Sequence, residues 1–212
     1  MIGILFRDTR QFLHGWTWIV VILFYAQTYV VEFTIPANPW VTCAALGPLL
    51  TATGVLLLAL PCAIQDKSQG VIELWRQSGR PMLAYVYAKC VAPVGWAMIL
   101  TAINGLVLCL WSGPSADDAV RYAIGLLFTA LSIVCGTVFG EFGVLLFNDP
   151  DTNATLIAMV SMLIPFGVCF CYELGIIPLF IAILLFAAFM TVLCSAIHWF
   201  DRSRYVFTLG IV

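Results

Sequence analysis

The residue best placed for chemistry within the apolar part of this sequence is Glu141. It stands in a long hydrophobic stretch beside Gly136 and Gly140, a Gly-x-x-x-Gly spacing that lets another helix approach closely. An ionisable side chain inside a membrane-spanning segment is a candidate for a proton relay or a substrate pathway. Glu141 also lies about two helical turns from the end of its stretch. Two interpretations therefore stay open: a proton or substrate role, or packing with a carboxylate that reaches the membrane surface.

Other candidates lie where apolar stretches end. Glu32 and Glu173 lie at such ends, where each is either a solvated cap or part of an outer gate. Gly175 and Pro178 interrupt the helical pattern just after Glu173, so this segment is a second possible part of a gate. His14 and His198 lie near span ends, where haem ligation is conceivable but an interfacial position is the more common role.

Several chemistries are excluded by missing motifs. The eight cysteines have no C-x-x-C spacing and lie in or beside apolar stretches, so we expect them to pack as small hydrophobic residues. The sequence has no phosphate-binding loop, no H-E-x-x-H and no G-x-S-x-G. The longest polar stretch, 65–81, is too short for a soluble catalytic domain. We expect no enzymatic activity and no cofactor in this chain, and an energy source in an ion gradient or a partner.

The composition indicates where these residues lie. Hydrophobic residues make up 63% and charged residues 9% of the 212 positions, against roughly 45–50% and about 25% in soluble domains. So few polar residues cannot cover a water-soluble fold. The net charge of -2 provides no basic surface for nucleic acid. The sequence therefore predicts an integral membrane protein in contact with the lipid bilayer.

Six stretches are long and apolar enough to cross a bilayer as helices, which needs about 20 residues. None of them alternates with the period of two that is typical of a barrel strand. We expect an all-α bundle of six transmembrane helices forming one domain over 1–212. The stretches are 16–31, 41–64, 90–111, 122–147, 155–172 and 178–200.

The distribution of Lys and Arg predicts the orientation. With six spans and the N-terminus in the cytoplasm, Arg121 is the one basic residue outside. The other eight lie on the cytoplasmic side, which follows the positive-inside rule with both termini cytoplasmic. These are Arg7, Arg10, Lys67, Arg76, Arg80, Lys89, Arg202 and Arg204.

The cytoplasmic segment 65–81 has the pattern of a short amphipathic helix. Asp66 followed by Gln69 is typical of a capping box, and Gly79 with Pro81 is a stop signal. Polar residues recur at intervals of three and four, with an apolar set on the other side. The polar set is Asp66, Gln69, Glu73, Arg76 and Arg80, and the apolar set is Val71, Leu74 and Trp75. A plain surface turn between two spans is the other interpretation.

The first 14 residues have a similar pattern. Arg7, Arg10 and His14 share one face, and apolar residues such as Phe6 and Leu13 lie near the other. This predicts an amphipathic helix in the plane of the membrane surface. A basic anchor that only sets the topology is equally consistent with the pattern.

The run from Asp66 through Gly70, Glu73 and Leu74, followed by Pro81 and Lys89, resembles the signature of ABC-2-type transporter permeases. In that family an acidic residue precedes Gly-x-x-Glu-Leu, a proline follows, and a lysine opens the third span. The amphipathic N-terminus, the six spans and the loop after the second span resemble the family over the whole chain. Val71, where the family often has Thr, and the polar stretch Arg76–Arg80 depart from the pattern.

The resemblance implies a permease subunit with the type V exporter-like architecture. Two such chains, identical or related, would form the pathway above two separate ATP-binding subunits, which would hold ATP and Mg²⁺. The segment 65–81 would be the coupling helix, and Trp75 would pack it against the bundle. The docking contacts to the ATPase would come from Asp66, Gln69, Gly70, Glu73 and Arg76.

The family further implies export, re-entrant helical pieces between the fifth and sixth spans, and a place in the bacterial inner membrane. Because the spans carry few charges, the expected cargo is largely apolar or amphipathic: a peptide, a lipid-like molecule or a drug. Permeases of cytochrome c maturation are similar in size and are the alternative subfamily. The alternative from another class is an ion-coupled secondary transporter that uses Glu141.

Overall fold

The computed structural model describes residues 59–111, 113, 115–146 and 154–209, together with Arg10 and Val55. Throughout these ranges the chain is helical between short turns, and they contain no strand. We name the helices in chain order. They are α1 (the helical residues 59–68), α2 (Val71–Gln77), α3 (Met82–Trp111), α4 (Ala116–Leu146), α5 (Ala154–Glu173) and α6 (Leu179–Leu209).

Three of the described helices are long and apolar enough to cross a membrane: Met82–Leu110 in α3, Ala116–Leu146 in α4 and Leu179–Arg202 in α6. The described ranges are thus all-helical, and these three helices indicate a membrane protein. The predicted span 16–31 lies outside the described residues, as does most of 41–64. The N-terminal helix 1–14 also lies outside them, except for Arg10. The six-span arrangement therefore stays a prediction.

The long helices do not start where the hydrophobic stretches start. α3 begins at Met82, eight residues before the predicted start at Cys90, and α4 begins at Ala116 rather than Tyr122. Ser115 and Asp118 form a capping box for α4: the Ser115 N–H donates to Asp118 Oδ2 at 3.1 Å, and the Asp118 N–H donates to Ser115 Oγ at 3.2 Å. A cap, not hydropathy, sets this boundary.

α4 is the central helix of the described bundle. It contacts α3, α5 and α6, and 56% of an apolar 18-residue stretch within it is buried. Its buried face is rich in small residues, which let neighbouring backbones come close. They include Gly125, Ser132, Cys135, Gly136, Gly140 and Gly143.

One close approach joins α3 and α4. Tyr122 donates a hydrogen bond to the carbonyl of Thr101. A Cβ added to Gly105 would come within 2.8 Å of the Tyr122 ring. The ring therefore lies directly against the α3 backbone, and a larger residue at position 105 would force the Tyr122 ring to move.

The connection between α5 and α6 is a short turn. α5 ends at Glu173, Gly175 has φ 70°, and the Ile176 N–H donates to the Cys171 carbonyl at 2.9 Å. This is a glycine C-cap, in which the left-handed residue reverses the chain. The re-entrant helical piece expected from the family resemblance is wrong for this segment, because residues 174–178 are turn and α6 begins at Leu179.

The two largest apolar clusters of the described bundle each join several helices. The first lies at the end that carries α2, which we call the α2 end, and it includes Ile72, Met82, Tyr85, Val144 and Ile197. The second joins α4, α5 and α6 around Phe128, Cys169 and Phe186. The cysteines within the described ranges form no disulfide with one another, and three of them, Cys90, Cys135 and Cys169, are buried.

Candidate functional site

The segment after α1 folds differently from the predicted capped helix. Asp66 lies inside α1, and a turn at Gln69 and Gly70 separates α1 from α2. Gly70 has φ 70°, a left-handed conformation that side chains with a Cβ rarely adopt. The prediction that Asp66 caps a continuous helix is therefore wrong. The predicted stop at Gly79 and Pro81 agrees with the fold, since α2 ends at Gln77 and Gly79 also has φ 70°.

α2 has one buried side and one exposed side, but not the apolar side that the sequence indicated. Ile72 is 1% exposed and packs into the cluster at the α2 end, whereas Leu74 is 65% exposed. The turn at Gly70 separates α2 from α1, and within α2 it is Ile72 rather than Leu74 that packs inward. Leu74 thus lies among polar residues on an exposed surface, which we call the α2 face. It consists of Gln69, Glu73, Leu74, Gln77 and Arg80.

Trp75 joins α2 to α3. Its ring lies 5.8 Å from the Tyr85 ring, centroid to centroid, and its Nε1 donates to the Pro81 carbonyl at 3.3 Å. The guanidinium of Arg80 lies 5.3 Å from the centre of the same ring, in cation–π geometry. Trp75 therefore does pack α2 against the bundle, as the family resemblance implied.

Beneath Trp75 lies a buried charged group that we call the Asp66 cluster: Asp66, Tyr85 and Lys89. Lys89 Nζ is 2.7 Å from Asp66 Oδ2, and the Tyr85 hydroxyl donates to the same oxygen at 2.6 Å. Asp66 and Tyr85 are 0% exposed and Lys89 is 3% exposed. Burying two charges is unfavourable unless they pair with good hydrogen bonds, and this geometry meets that requirement.

The cluster changes the role expected for Asp66. The docking contact predicted for its carboxylate is wrong, because that carboxylate is enclosed between α1 and α3 and paired with Lys89. Both residues were visible in the sequence as an acid and a base at the edges of apolar stretches. Their pairing could not be predicted, because it depends on the turns at Gly70 and Gly79 that fold α1 back against α3.

The helix ends around the cluster are tied to one another by hydrogen bonds. Lys67 Nζ donates to the carbonyl of Val144 at 2.7 Å, which satisfies an acceptor in the last turn of α4. The Met82 N–H, at the start of α3, donates to Asp201 Oδ2 of α6 at 3.3 Å. Helices α1, α3, α4 and α6 therefore meet at the α2 end in a connected polar layer.

The other predicted docking residues lie at the surface or near it. Gln69 and Glu73 are exposed, whereas Gly70 and Arg76 are half-buried. Together with Leu74 they form a surface with an apolar centre and charged neighbours of both signs.

Glu141 lies on α4 and is 3% exposed. Its carboxylate is therefore enclosed by the helices around it. It borders a small crevice of about 10 Å³, room for about one water molecule. Thr137, one turn earlier and 5% exposed, lines the same crevice. The other lining residues are Ala59, Leu60, Ala63, Gly136 and Gly140.

The predicted gate residues that the structure describes lie away from Glu141. Glu173 is exposed at the end of α5, at the opposite end of the bundle from α2, with Gly175 and Pro178 in the turn that follows. Partial burial raises the pKa of Glu173, and the positive charge of Arg121 opposes that shift. Glu32 and His14 lie outside the described residues, and His198 is exposed on α6. In the described ranges, no group of three His, Cys, Asp or Glu side chains could hold a metal ion.

Comparison with known proteins finds no matching protein-family model, no matching curated protein and no matching solved structure.

Proposed function

We propose that this chain is the permease subunit of an ABC transporter of the ABC-2 type, which docks a separate ATP-binding subunit through the α2 face. The observation that carries the proposal is the form of α2. It is a seven-residue helix, attached on one side through Ile72 and Trp75, with Glu73 and Leu74 exposed on the other. A short helix that is fixed to the bundle and exposes a mixed surface is suited to transmitting motion from a partner.

The finer parts of the proposal extend the resemblance. The chain would have six spans with both termini cytoplasmic, would pair with a second copy or a related chain, and would reside in the bacterial inner membrane. ATP and Mg²⁺ would be bound by the partner, and this chain would carry out no catalysis. The cargo would be largely apolar or amphipathic and would be exported, with haem-related transport in cytochrome c maturation as the alternative within the family.

A charge reversal on the α2 face tests the proposal. The chain and the ATP-binding subunit that co-purifies with it are reconstituted in nanodiscs, and ATP hydrolysis is measured with and without the chain. We expect the chain to change the hydrolysis rate several-fold and Glu73→Arg to abolish that change, because it reverses a charge at the docking surface. Asp117→Arg is the matched control, since Asp117 is also exposed but lies in the first turn of α4. Full coupling in Glu73→Arg would overturn the proposal.

A second candidate function, an ion-coupled secondary transporter, is favoured by one observation: Glu141 is buried and lines a crevice together with Thr137. Proteoliposomes that contain this chain alone distinguish the two. Uptake driven by a proton gradient and lost in Glu141→Gln, but kept in Glu73→Gln, would support the secondary transporter. No uptake without an ATPase is the result expected for the permease.

A further inference from the structure

A continuous series of contacts runs from the surface of α2 into the bundle. It begins at Arg80, whose guanidinium lies over Trp75, and continues from Trp75 to Tyr85 through their rings. From Tyr85 it reaches Asp66 through a 2.6 Å hydrogen bond, and Lys89 closes it by pairing with Asp66 at 2.7 Å. Each step joins side chains in direct contact, so the α2 face and the packing of α1 against α3 share one network.

The contacts of Tyr85 and Lys89 with Asp66 constrain how α1 and α3 lie relative to each other. Tyr85 and Lys89 are four residues apart on α3, so they project from the same side of that helix. Lys89 Nζ also lies 5.8 Å from the centre of the Tyr85 ring. Both side chains meet one carboxylate oxygen of α1. Asp66 can therefore keep both contacts only while α1 and α3 hold a fixed distance and rotation.

The burial of the pair makes a partial displacement costly. A charge removed from its partner within an apolar environment is not compensated by water. A small separation of α1 and α3 would leave Lys89 and Asp66 in such an environment. The arrangement thus favours two discrete states, paired or fully opened, rather than a continuous series of intermediates.

We propose that the Asp66 cluster is the element that couples the orientation of α2 to the packing of α1 against α3, with Asp66, Tyr85 and Lys89 as positioning residues. Displacement of α2 would pull on Tyr85 through Trp75, and opening of the ion pair would release α2. The use of this coupling in transport rests on the proposed function, whereas the coupling itself is a property of the isolated chain.

Hydrogen exchange of the purified chain in nanodiscs, read by mass spectrometry, tests the coupling without any partner. Exchange of backbone amides reports local opening. In Lys89→Met we expect the amides of 71–78 to exchange at least tenfold faster than in the wild type. Amides of 179–200, in α6, should be unchanged, which shows that the bundle remains folded. The charge-exchanged double variant Asp66→Lys with Lys89→Asp should restore slow exchange in 71–78.

Two further variants keep the test decisive. Tyr85→Phe removes one hydrogen bond and retains the ion pair, so it should give a smaller rise in α2 exchange even where Lys89→Met does not fold. Arg202 is exposed on α6, so Arg202→Met should leave the α2 amides exchanging at the wild-type rate. Wild-type exchange of 71–78 in both folded Lys89→Met and Tyr85→Phe would overturn the proposal.

A second measurement separates this inference from the permease proposal. The Lys89→Met chain should bind the co-purifying ATPase with wild-type affinity but should no longer change its rate of ATP hydrolysis. Lys89→Arg should partly restore that change in rate. If α2 exchange responds as expected but no ATPase responds to Glu73→Arg, the permease proposal fails and the coupling stands. If Glu73→Arg uncouples the ATPase while Lys89→Met does not, the coupling fails and the permease proposal stands.

Discussion

At the scale of single residues, the most informative feature is a charged pair in an otherwise apolar bundle. Asp66 and Lys89 are both buried and form an ion pair. Replacing such a pair by apolar residues is often neutral, but removing one partner leaves an uncompensated charge. The consequences of single and double substitutions should therefore differ strongly.

The first prediction concerns Lys89→Met. We expect it to lower the free energy of unfolding by about 3–5 kcal/mol, because Asp66 then keeps a buried charge without its cation. Unfolding in detergent micelles, followed by circular dichroism, measures the loss. The exposed Arg202→Met should change stability by no more than about 0.5 kcal/mol. Equal stabilities of the two variants would contradict the buried pair.

The second prediction concerns the contact between α3 and α4. Gly105→Ala should lower the free energy of unfolding by about 1–3 kcal/mol, because the new Cβ would come within 2.8 Å of the Tyr122 ring. Gly95→Ala is the matched control on the same helix, since nothing lies within 4 Å of its added Cβ. A neutral Gly105→Ala would mean that Tyr122 does not lie against the α3 backbone.

At the scale of helices, caps and turns decide where elements begin and end. The hydrophobic stretches predicted the presence of α3, α4, α5 and α6, because burial in lipid requires long apolar helices. Their starts were missed where polar residues stabilise the helix, as Ser115 and Asp118 do for α4.

The prediction for α2 shows the same limit. Its presence and its end followed from Gly79 and Pro81, but its buried side did not follow from the sequence. The buried side is set by the cluster into which Ile72 packs, and neither hydropathy nor spacing specifies those contacts between distant residues. Likewise, the ion pair of the Asp66 cluster joins residues from two helices, so no local pattern predicts it. Glu141 was found from its residue type, yet its burial depends on the packing of α1 and α4.

The third prediction isolates the cap of α4. Asp118→Ala and Asp117→Ala each remove one acidic residue from the first turn, so their effects on the helix dipole should be similar. Asp118→Ala also removes the hydrogen bonds with Ser115 and should cost about 1 kcal/mol more. Thermal unfolding of the two variants gives the difference directly, and equal midpoints would show that the cap contributes nothing.

At the scale of the whole molecule, the described bundle is organised around α4, with the polar layer at the α2 end and an exposed turn at the other. α3 and α6 keep much of their apolar surface exposed, including Leu110 and Phe180. In a membrane protein such surfaces contact lipid or further helices.

The fourth prediction is the sidedness of α3. Because the basic residues are concentrated on one side, we expect Gln77 in the cytoplasm and Asp117 on the opposite side. Gln77→Cys and Asp117→Cys are treated with a membrane-impermeant maleimide in sealed right-side-out vesicles, with the wild type as the baseline for the native thiols. Asp117→Cys should react at once and Gln77→Cys only after permeabilisation. Labelling of both from the same side would show that α3 does not cross.

The hydrogen bond from the Met82 N–H to Asp201 has a consequence for biosynthesis. Its two residues are separated by 119 positions, so a growing chain inserts α3 well before the ribosome has added its acceptor. The Met82 N–H at the start of α3 therefore gains this acceptor only when α6 has been synthesised. A nascent chain halted before residue 201 would lack this hydrogen bond. The polar layer at the α2 end can therefore be completed only after synthesis has reached α6.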